Sequence, residues 1–332
     1  MPFRIYEWDE IASDYSGTLL LGNGASISID DRFGYGSLIE YARKNGLLTE
    51  DVQQLFQFFH TFDFELVLRL VWQASNVNRS LLIPDDRTHA AYIRVRECLI
   101  QSVRDVHPEY HEVSEYMPSI YSFVKNFQTV LSLNYDLILY WAIMYGLNVS
   151  DRHSLKDCFI NGEFTDDWSR LSYSIYGNIS TTLVFYPHGS LVLARNIVES
   201  EYKITGNGND LLESILQTWQ TEQYVPLFVS EGTWQQKVNS IHNSSYLNTI
   251  YREVLASLSP DLVIYGWGLR EQDLYILRRI AMSHVRRVAV SVYGNDQAYC
   301  NRVNHTIKQI LGFQTQVEFF HSNSPGCWNN PA

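Results

Sequence analysis

Asn134 and Asp136 stand two residues apart in Leu133-Asn134-Tyr135-Asp136, directly after the apolar run Thr129 to Leu133. Alternate residues of an extended strand share a face, so an amide and a carboxylate at this spacing would point together past the strand end. Such a pair can orient hydroxyl groups, although Asp136 is equally suited to cap the helix that follows. His188 lies in Tyr186-Pro187-His188-Gly189-Ser190, after the apolar run Leu183 to Tyr186. The chain has ten histidines, and a lone histidine is more often a core or surface residue than a catalyst. A strand before His188 and a glycine after it single it out. An imidazole titrates near neutrality and suits removal of a proton from a hydroxyl or a water.

Two glycine-containing motifs complete the set. Gly22-Asn23-Gly24-Ala25-Ser26 closes the run Thr18 to Leu21, and Gly266-Trp267-Gly268 closes Leu262 to Tyr265. A glycine pair after a strand permits positive φ and lets backbone N–H groups approach a phosphate closely. Ile27 stands where the last glycine of GxGxxG would fall, so the dinucleotide fingerprint is incomplete. A plain strand-to-helix turn explains these glycines as well. Val229-Ser230-Glu231-Gly232 reaches toward the same region, but its composition favours a helix-capping turn.

Positioning these motifs requires strands. Strands are expected at Thr18 to Gly22, Thr129 to Leu133, Leu183 to Tyr186, Val225 to Val229, Leu262 to Tyr265, Val288 to Val292 and Val317 to Phe320, with helical patterns between most of them. Ser37-Leu38-Ile39-Glu40 has the form of a capping box, and the helix it opens should stop near Gly46. Between the first strand and the second, Val52, Leu55, Phe56, Phe59, Phe64, Val67, Leu68, Val71 and Trp72 recur at helical spacing. The pattern predicts an α/β fold: a Rossmann-like, largely parallel, doubly wound sheet from residues 1–47 and 128–332, with an inserted helical subdomain over residues 48–127. In such a sheet the strand ends line one crevice, where distant motifs can converge.

Composition bounds the function classes. Among 332 residues, 25 Lys and Arg face 36 Asp and Glu, for a net charge of -11, which argues against broad nucleic-acid binding. The longest apolar run, Leu137 to Leu147, is short of the roughly 20 residues that span a bilayer. The four cysteines, Cys98, Cys158, Cys300 and Cys327, are too scattered for a zinc cluster, and no metal is expected. Without a signal-like apolar core at the N-terminus, a reduced cytoplasmic setting is the simplest expectation.

The order and content of the four motifs resemble the sirtuin-like family of NAD-consuming enzymes. The resemblance implies that Gly22, Asn23, Gly24, Ala25 and Ser26 correspond to the family's GAG motif and its following Ala/Ile-Ser, with Asn23 replacing the middle alanine. It implies that Asn134 positions the nicotinamide ribose or a water, that Asp136 orients a hydroxyl or the carboxamide, and that His188 is the general base. Gly266 and Gly268 fall at the adenosine half, where Gly268 replaces the usual serine; Val292-Tyr293-Gly294 falls where the family holds adenine. Asp30-Asp31-Arg32-Phe33-Gly34 occupies the place of the family's cofactor-binding loop without its Gly-Ile-Pro portion. The family's zinc module, with two Cys pairs, is missing from this sequence, which brings the chain nearer to the bacterial antiphage-defence NADases. Those imply NAD+ as substrate, a homo-oligomer, and a partner ATPase or other sensor protein that triggers activity. The alternatives are an NAD-dependent protein deacylase or ADP-ribosyltransferase, and a non-catalytic NAD or ADP-ribose sensor subunit.

Overall fold

Thirteen strands are present in the computed structural model, which describes residues 2–34, 36–173, 179–206, 210–229 and 231–332. In chain order they are β1 (Ile5–Tyr6), β2 (Thr18–Leu21), β3 (Thr129–Ser132), β4 (His153–Lys156), β5 (Phe159–Ile160), β6 (Glu163–Phe164), β7 (Ser180–Phe185), β8 (Gly189–Asn196), β9 (Glu201–Lys203), β10 (Tyr224–Phe228), β11 (Asp261–Tyr265), β12 (Arg287–Val292) and β13 (Gln316–His321). Eight of them form one sheet in the order β1-β13-β12-β11-β2-β3-β7-β4, with every pairing parallel. Its inner strands are buried on both faces: Leu19, Leu20, Val130, Leu131, Val263, Ile264 and Val290 are all fully enclosed. Parallel strands covered on both sides read as unbroken apolar runs, which is why they are visible in the sequence.

The strand order makes the fold Rossmann-like. The chain leaves β2 toward β3 on one side, then returns to place β11 on the other side of β2. The connection therefore reverses between β2 and β11, which is where open α/β sheets hold ligands. Helices flank the sheet. No helix among the described residues is long and apolar enough to cross a membrane.

One strand lies elsewhere than expected. The Val225 to Val229 run, as β10, belongs to a separate antiparallel sheet ordered β10-β8-β9. A buried strand of either sheet type presents the same apolar run, so hydrophobicity alone could not assign it. What reverses the chain is the turn after β7. Gly189 N–H donates to Tyr186 O at 2.8 Å, and Gly189 has φ +76°. A Cβ there would lie 2.2 Å from Leu227 O, so only glycine lets β8 pass β10 at this distance.

Residues 48–127 contain the helices Glu50–Phe58, Phe64–Ser80, Asp86–Val106, Tyr110–Val113 and Met117–Val124, and no strand. The Phe64–Ser80 helix buries Phe64, Val67, Leu68, Val71 and Trp72. The Trp72 indole N–H donates to Glu222 O at 3.0 Å, at the entrance to β10. Earlier in the chain, the Ser37 hydroxyl accepts from Glu40 N–H at 3.1 Å and caps the helix Leu38–Lys44, which ends before Gly46 at φ +69°.

Asp63 caps the Phe64–Ser80 helix by accepting from Leu66 N–H at 3.2 Å. It is buried, and burial, together with the nearby Glu65 and Glu231 carboxylates, holds its carboxyl well above the usual carboxylate range. The folded protein thus keeps a proton on Asp63 that the unfolded chain has released, so this residue's contribution to stability falls as pH rises through that window. Asp63→Asn retains the cap and removes the ionisation. Thermal unfolding at pH 5, 6.5 and 8 should show the variant gaining on the wild type as pH rises, by at most about 1.4 kcal/mol per pH unit for one proton. Parallel pH curves for the two proteins would refute the assignment.

Candidate functional site

At the switch point the loops after β2 and β11 touch backbone to backbone. Gly22 N–H donates to Tyr265 O at 2.9 Å, and Gly24 N–H donates to Gly266 O at 2.8 Å, which extends the β2–β11 pairing beyond the sheet. A Cβ on Gly22 would lie 2.5 Å from Trp267 Cα; one on Gly24, 2.8 Å from Gly266 O; one on Gly266, 2.3 Å from Ala25 N. Gly22 has φ -111° and Gly24 lies within the short helix Asn23–Ile27, so neither uses positive φ; of the three only Gly266 does, at φ +68°. The glycines are thus required by loop-on-loop packing, where the sequence suggests approach to a phosphate. Gly268 is open: a Cβ added there would have Arg270 Cγ as its nearest neighbour, at 3.8 Å.

The loop after β3 is tied into this junction. The Asn134 side-chain amide donates to Gly22 O at 3.0 Å and to the Ser26 hydroxyl at 2.9 Å. Ser26 in turn donates to Asp136 Oδ2 at 2.5 Å, and Asp136 Oδ1 accepts from Ile138 N–H at 2.9 Å at the start of the helix Ile138–Gly146. The Asn134 amide hydrogens are thus both engaged within the junction. Burial raises the Asp136 carboxyl, opposed first by the Ser26 hydroxyl and then by the Ile138 amide. His107, just past the helix Asp86–Val106, supports the loop from behind: its Nε2 accepts from Leu137 N–H at 3.0 Å, which leaves Nδ1–H to donate to Pro108 O at 2.8 Å. Burial pushes His107 down to about 4, so it stays neutral and can accept.

His188 sits in the β7–β8 turn with its Nε2 2.6 Å from the Tyr275 hydroxyl. Tyr275 belongs to the helix Leu274–Ile280 and is buried. Burial, reinforced by the Lys237 ammonium, pushes His188 down to about 4, while Asp273 and the Leu133 carbonyl act the other way. The arrangement fits a neutral ring with its proton on Nδ1, toward Leu133, and with Nε2 accepting from Tyr275. The general-base role expected for His188 therefore requires Tyr275 to move off Nε2. Beside it, Lys237 Nζ and Asp273 Oδ1 pair at 2.8 Å.

These groups surround one cleft of about 430 Å³. Gly22, Asn23, Gly24, Asn134, Asp136, His188, Gly266 and Gly268 all line it. Ala25 and Ser26 do not: Ala25 is fully buried, with its carbonyl accepting from the Trp328 indole at 2.8 Å, and Ser26 faces Asn134 and Asp136 from below. A second pocket of about 640 Å³ shares Gly24, Gly266, Trp267 and Gly268 with the cleft and extends to Ser291, Tyr293 and Asn323, so Tyr293 of the Val292-Tyr293-Gly294 segment borders it. Phe33 and Gly34 of the Asp30–Gly34 loop also line the cleft. Ser230 lies outside the described residues, but Glu231 is in the cleft wall. Sequence reasoning missed Tyr275 and Lys237, which belong to helices without a motif; Arg270 and Asp273 lie in the stretch after Gly268 and carry no separate signal. Among the described residues no group of three or more His, Cys, Asp or Glu is placed to hold a metal ion.

Two glycines of one junction differ in the space around them. Gly22→Ala forces a methyl group against backbone that cannot yield and should lower stability by about 1–3 kcal/mol or more. Gly268→Ala meets open space and should unfold close to the wild type. Denaturant unfolding of both checks this, and equal midpoints for the two variants would contradict it.

Comparison with known proteins bears on family and little else. No curated protein matches the chain. A solved structure described as "Structural Basis for the Mechanism and Regulation of Sir2 Enzymes" aligns over 90% of this chain and 95% of that one, at 9% identity and a TM-score of 0.35. At that distance the alignment bears on no residue role. The model of a family described as "Domain of unknown function (DUF4917)" matches residues 19–328. Since that match takes in both glycine loops, Asn134, His188 and nearly all of the sheet, the chain belongs to the DUF4917 family.

Proposed function

We propose that this protein is an NAD+ glycohydrolase that cleaves the nicotinamide–ribose bond to give nicotinamide and ADP-ribose. One observation carries the reading: four motifs from distant parts of the chain, each at the carboxyl end of a parallel strand, line a single cleft at the switch point. Their content is that of the sirtuin-like resemblance. The neighbouring pocket adds length for a dinucleotide, with the nicotinamide end at Asn134 and His188 and the adenosine end toward Gly268 and Tyr293.

The chemistry asks little of the protein. Nicotinamide in NAD+ is cationic and departs neutral, so its leaving needs no general acid. Positive charge develops at the ribose C1′ as the bond breaks. The protein must orient the ribose, limit bulk water, and accept the proton of the incoming water. In this reading Asn134 accepts from a ribose hydroxyl through Oδ1, beside the neutral His188 ring, and both residues line the cleft. No metal is required for these steps. Depletion of NAD+ in antiphage defence, by a homo-oligomer under the control of a partner ATPase or other sensor, is the setting we propose for this activity.

Occupation of His188 Nε2 by Tyr275 favours one second reading, a non-catalytic subunit that senses NAD or ADP-ribose. Nicotinamide release from NAD+ by the purified full chain, with size-exclusion chromatography of each sample, decides between them. Release by wild type, markedly reduced in His188→Ala and in Asn134→Ala through loss of the groups that orient the ribose, is the expected result. Binding of NAD+ without release in every oligomeric state would favour the sensor, and undiminished release by His188→Ala would remove that residue from the mechanism.

A further inference from the structure

Glu231 lies three residues beyond β10 and is fastened to the His188 turn. Val229 N–H donates to His188 O at 2.7 Å, and Val229 and Glu231 both line the cleft. Glu231 Oε1 accepts from Leu38 N–H at 2.6 Å, which fixes the carboxyl at the start of the helix Leu38–Lys44. The other oxygen, Oε2, is buried with no hydrogen-bond partner among the described residues. A buried acceptor left without a partner is unfavourable, and such groups in a cleft wall are the ones a ligand completes. Glu231 also lacks an ion pair among the described residues. In the same cleft Lys237 is engaged with Asp273. The charge that acts on Glu231 is acidic, that of Glu40 on the Leu38–Lys44 helix, and Asp63 nearby, at the head of the Phe64–Ser80 helix, keeps its proton in the folded protein.

We infer that Glu231 is a further catalytic residue of the cleft, the carboxylate that faces the developing ribosyl cation and takes the proton of the attacking water. This rests on the glycohydrolase reading. The C1′–nitrogen bond breaks with its electron pair going to nicotinamide, which leaves neutral. A water oxygen forms the new bond to C1′, and the water's proton passes to Glu231, from which it is lost to solvent. NAD+ and water thereby give ADP-ribose, nicotinamide and one proton. His188 is poorly placed for that task because Nε2 already accepts from Tyr275 and the Leu133 carbonyl faces the ring. Burial pushes the Glu231 carboxyl up to about 7, against the pull of the Leu38 amide first and then of the Ser37 hydroxyl and the Ile39 amide, neither of which is placed to hydrogen-bond Oε2. The group is therefore partly ionised and appreciably basic near neutrality. A carboxylate shielded from water also stabilises a nearby cation more than it would in bulk solvent.

The test uses the full chain and Glu231→Gln, whose amide oxygen still accepts from Leu38 N–H. Nicotinamide release is followed from pH 5.5 to 8.5, ADP-ribose binding by calorimetry, and folding by thermal unfolding. Wild-type turnover should rise with pH through about 7 as Glu231 ionises. Glu231→Gln should melt and bind ADP-ribose much as the wild type does, lose turnover by about 10²–10⁴-fold, and lose that rise with pH. A variant with wild-type turnover and an unchanged pH profile overturns the role of Glu231 alone. Turnover lost together with ADP-ribose binding or fold also overturns it, because Glu231 would then only hold the Leu38 helix. A wild type that releases no nicotinamide in any oligomeric state overturns the glycohydrolase reading, and this assignment with it.

Discussion

The structure depends on a backbone contact that excludes side chains. Where β2 and β11 end, Gly24 N–H meets Gly266 O at 2.8 Å, and a Cβ on Gly22, Gly24 or Gly266 would lie within 3 Å of the opposing loop. The two strands are separated by most of the chain, yet their ends are held as closely as neighbours in a ladder. The neighbouring walls of the cleft are fastened to this junction. Asn134 is anchored on Gly22 O, Ser26 links it to Asp136, and Trp267 and Gly268 lead away to the second pocket.

Burial then sets the chemistry, and it acts in opposite senses on acids and bases. A low-dielectric surrounding disfavours whichever form is charged. It pushes His107 and His188 down to about 4 and Glu231 up to about 7. The histidines are therefore neutral hydrogen-bonding groups: His107 accepts from the Leu137 amide, and His188 accepts from Tyr275. Among the described residues of the cleft, the Glu231 carboxyl combines an oxygen without a hydrogen-bond partner and a titration near neutrality. Because His107 follows the helix Asp86–Val106, the helical stretch also reaches the site, by holding the loop that carries Asn134 and Asp136.

The fold was legible where strands are buried on both faces. The runs at Thr18, Thr129, Leu262 and Val288 carry a continuous apolar signal that little else produces, and each became a strand of the parallel sheet. Short edge elements left no such trace: β1 has two residues, and β4 reads His-Ser-Leu-Lys with only Leu155 buried. The small sheet was hidden for another reason. β8 is as buried as the strands of the main sheet but reads Gly-Ser-Leu-Val-Leu-Ala-Arg-Asn, and its antiparallel direction comes from the positive φ of Gly189 and the close passage of Leu227, neither of which an apolar run reports.

The amino-acid order by itself determined which residues stand at strand ends, because an apolar run and the polar or glycine residue that stops it are both local facts. That placed Asn134, Asp136, His188, Gly22, Gly24, Gly266 and Gly268 at one end of a sheet, and all seven line the cleft. Only the tertiary structure decided what each atom does there. Gly24 N–H was free to meet a phosphate until Gly266 O took it; Ser26 turned inward to Asp136; Tyr275 arrived from a helix 87 residues away to occupy His188. Glu231, which the sequence presented as a turn residue, lines the cleft with one oxygen held by the Leu38 amide and the other without a hydrogen-bond partner among the described residues. Hydrogen-bond partners and burial are set by which segments meet, and segments this far apart meet only through the packed sheet.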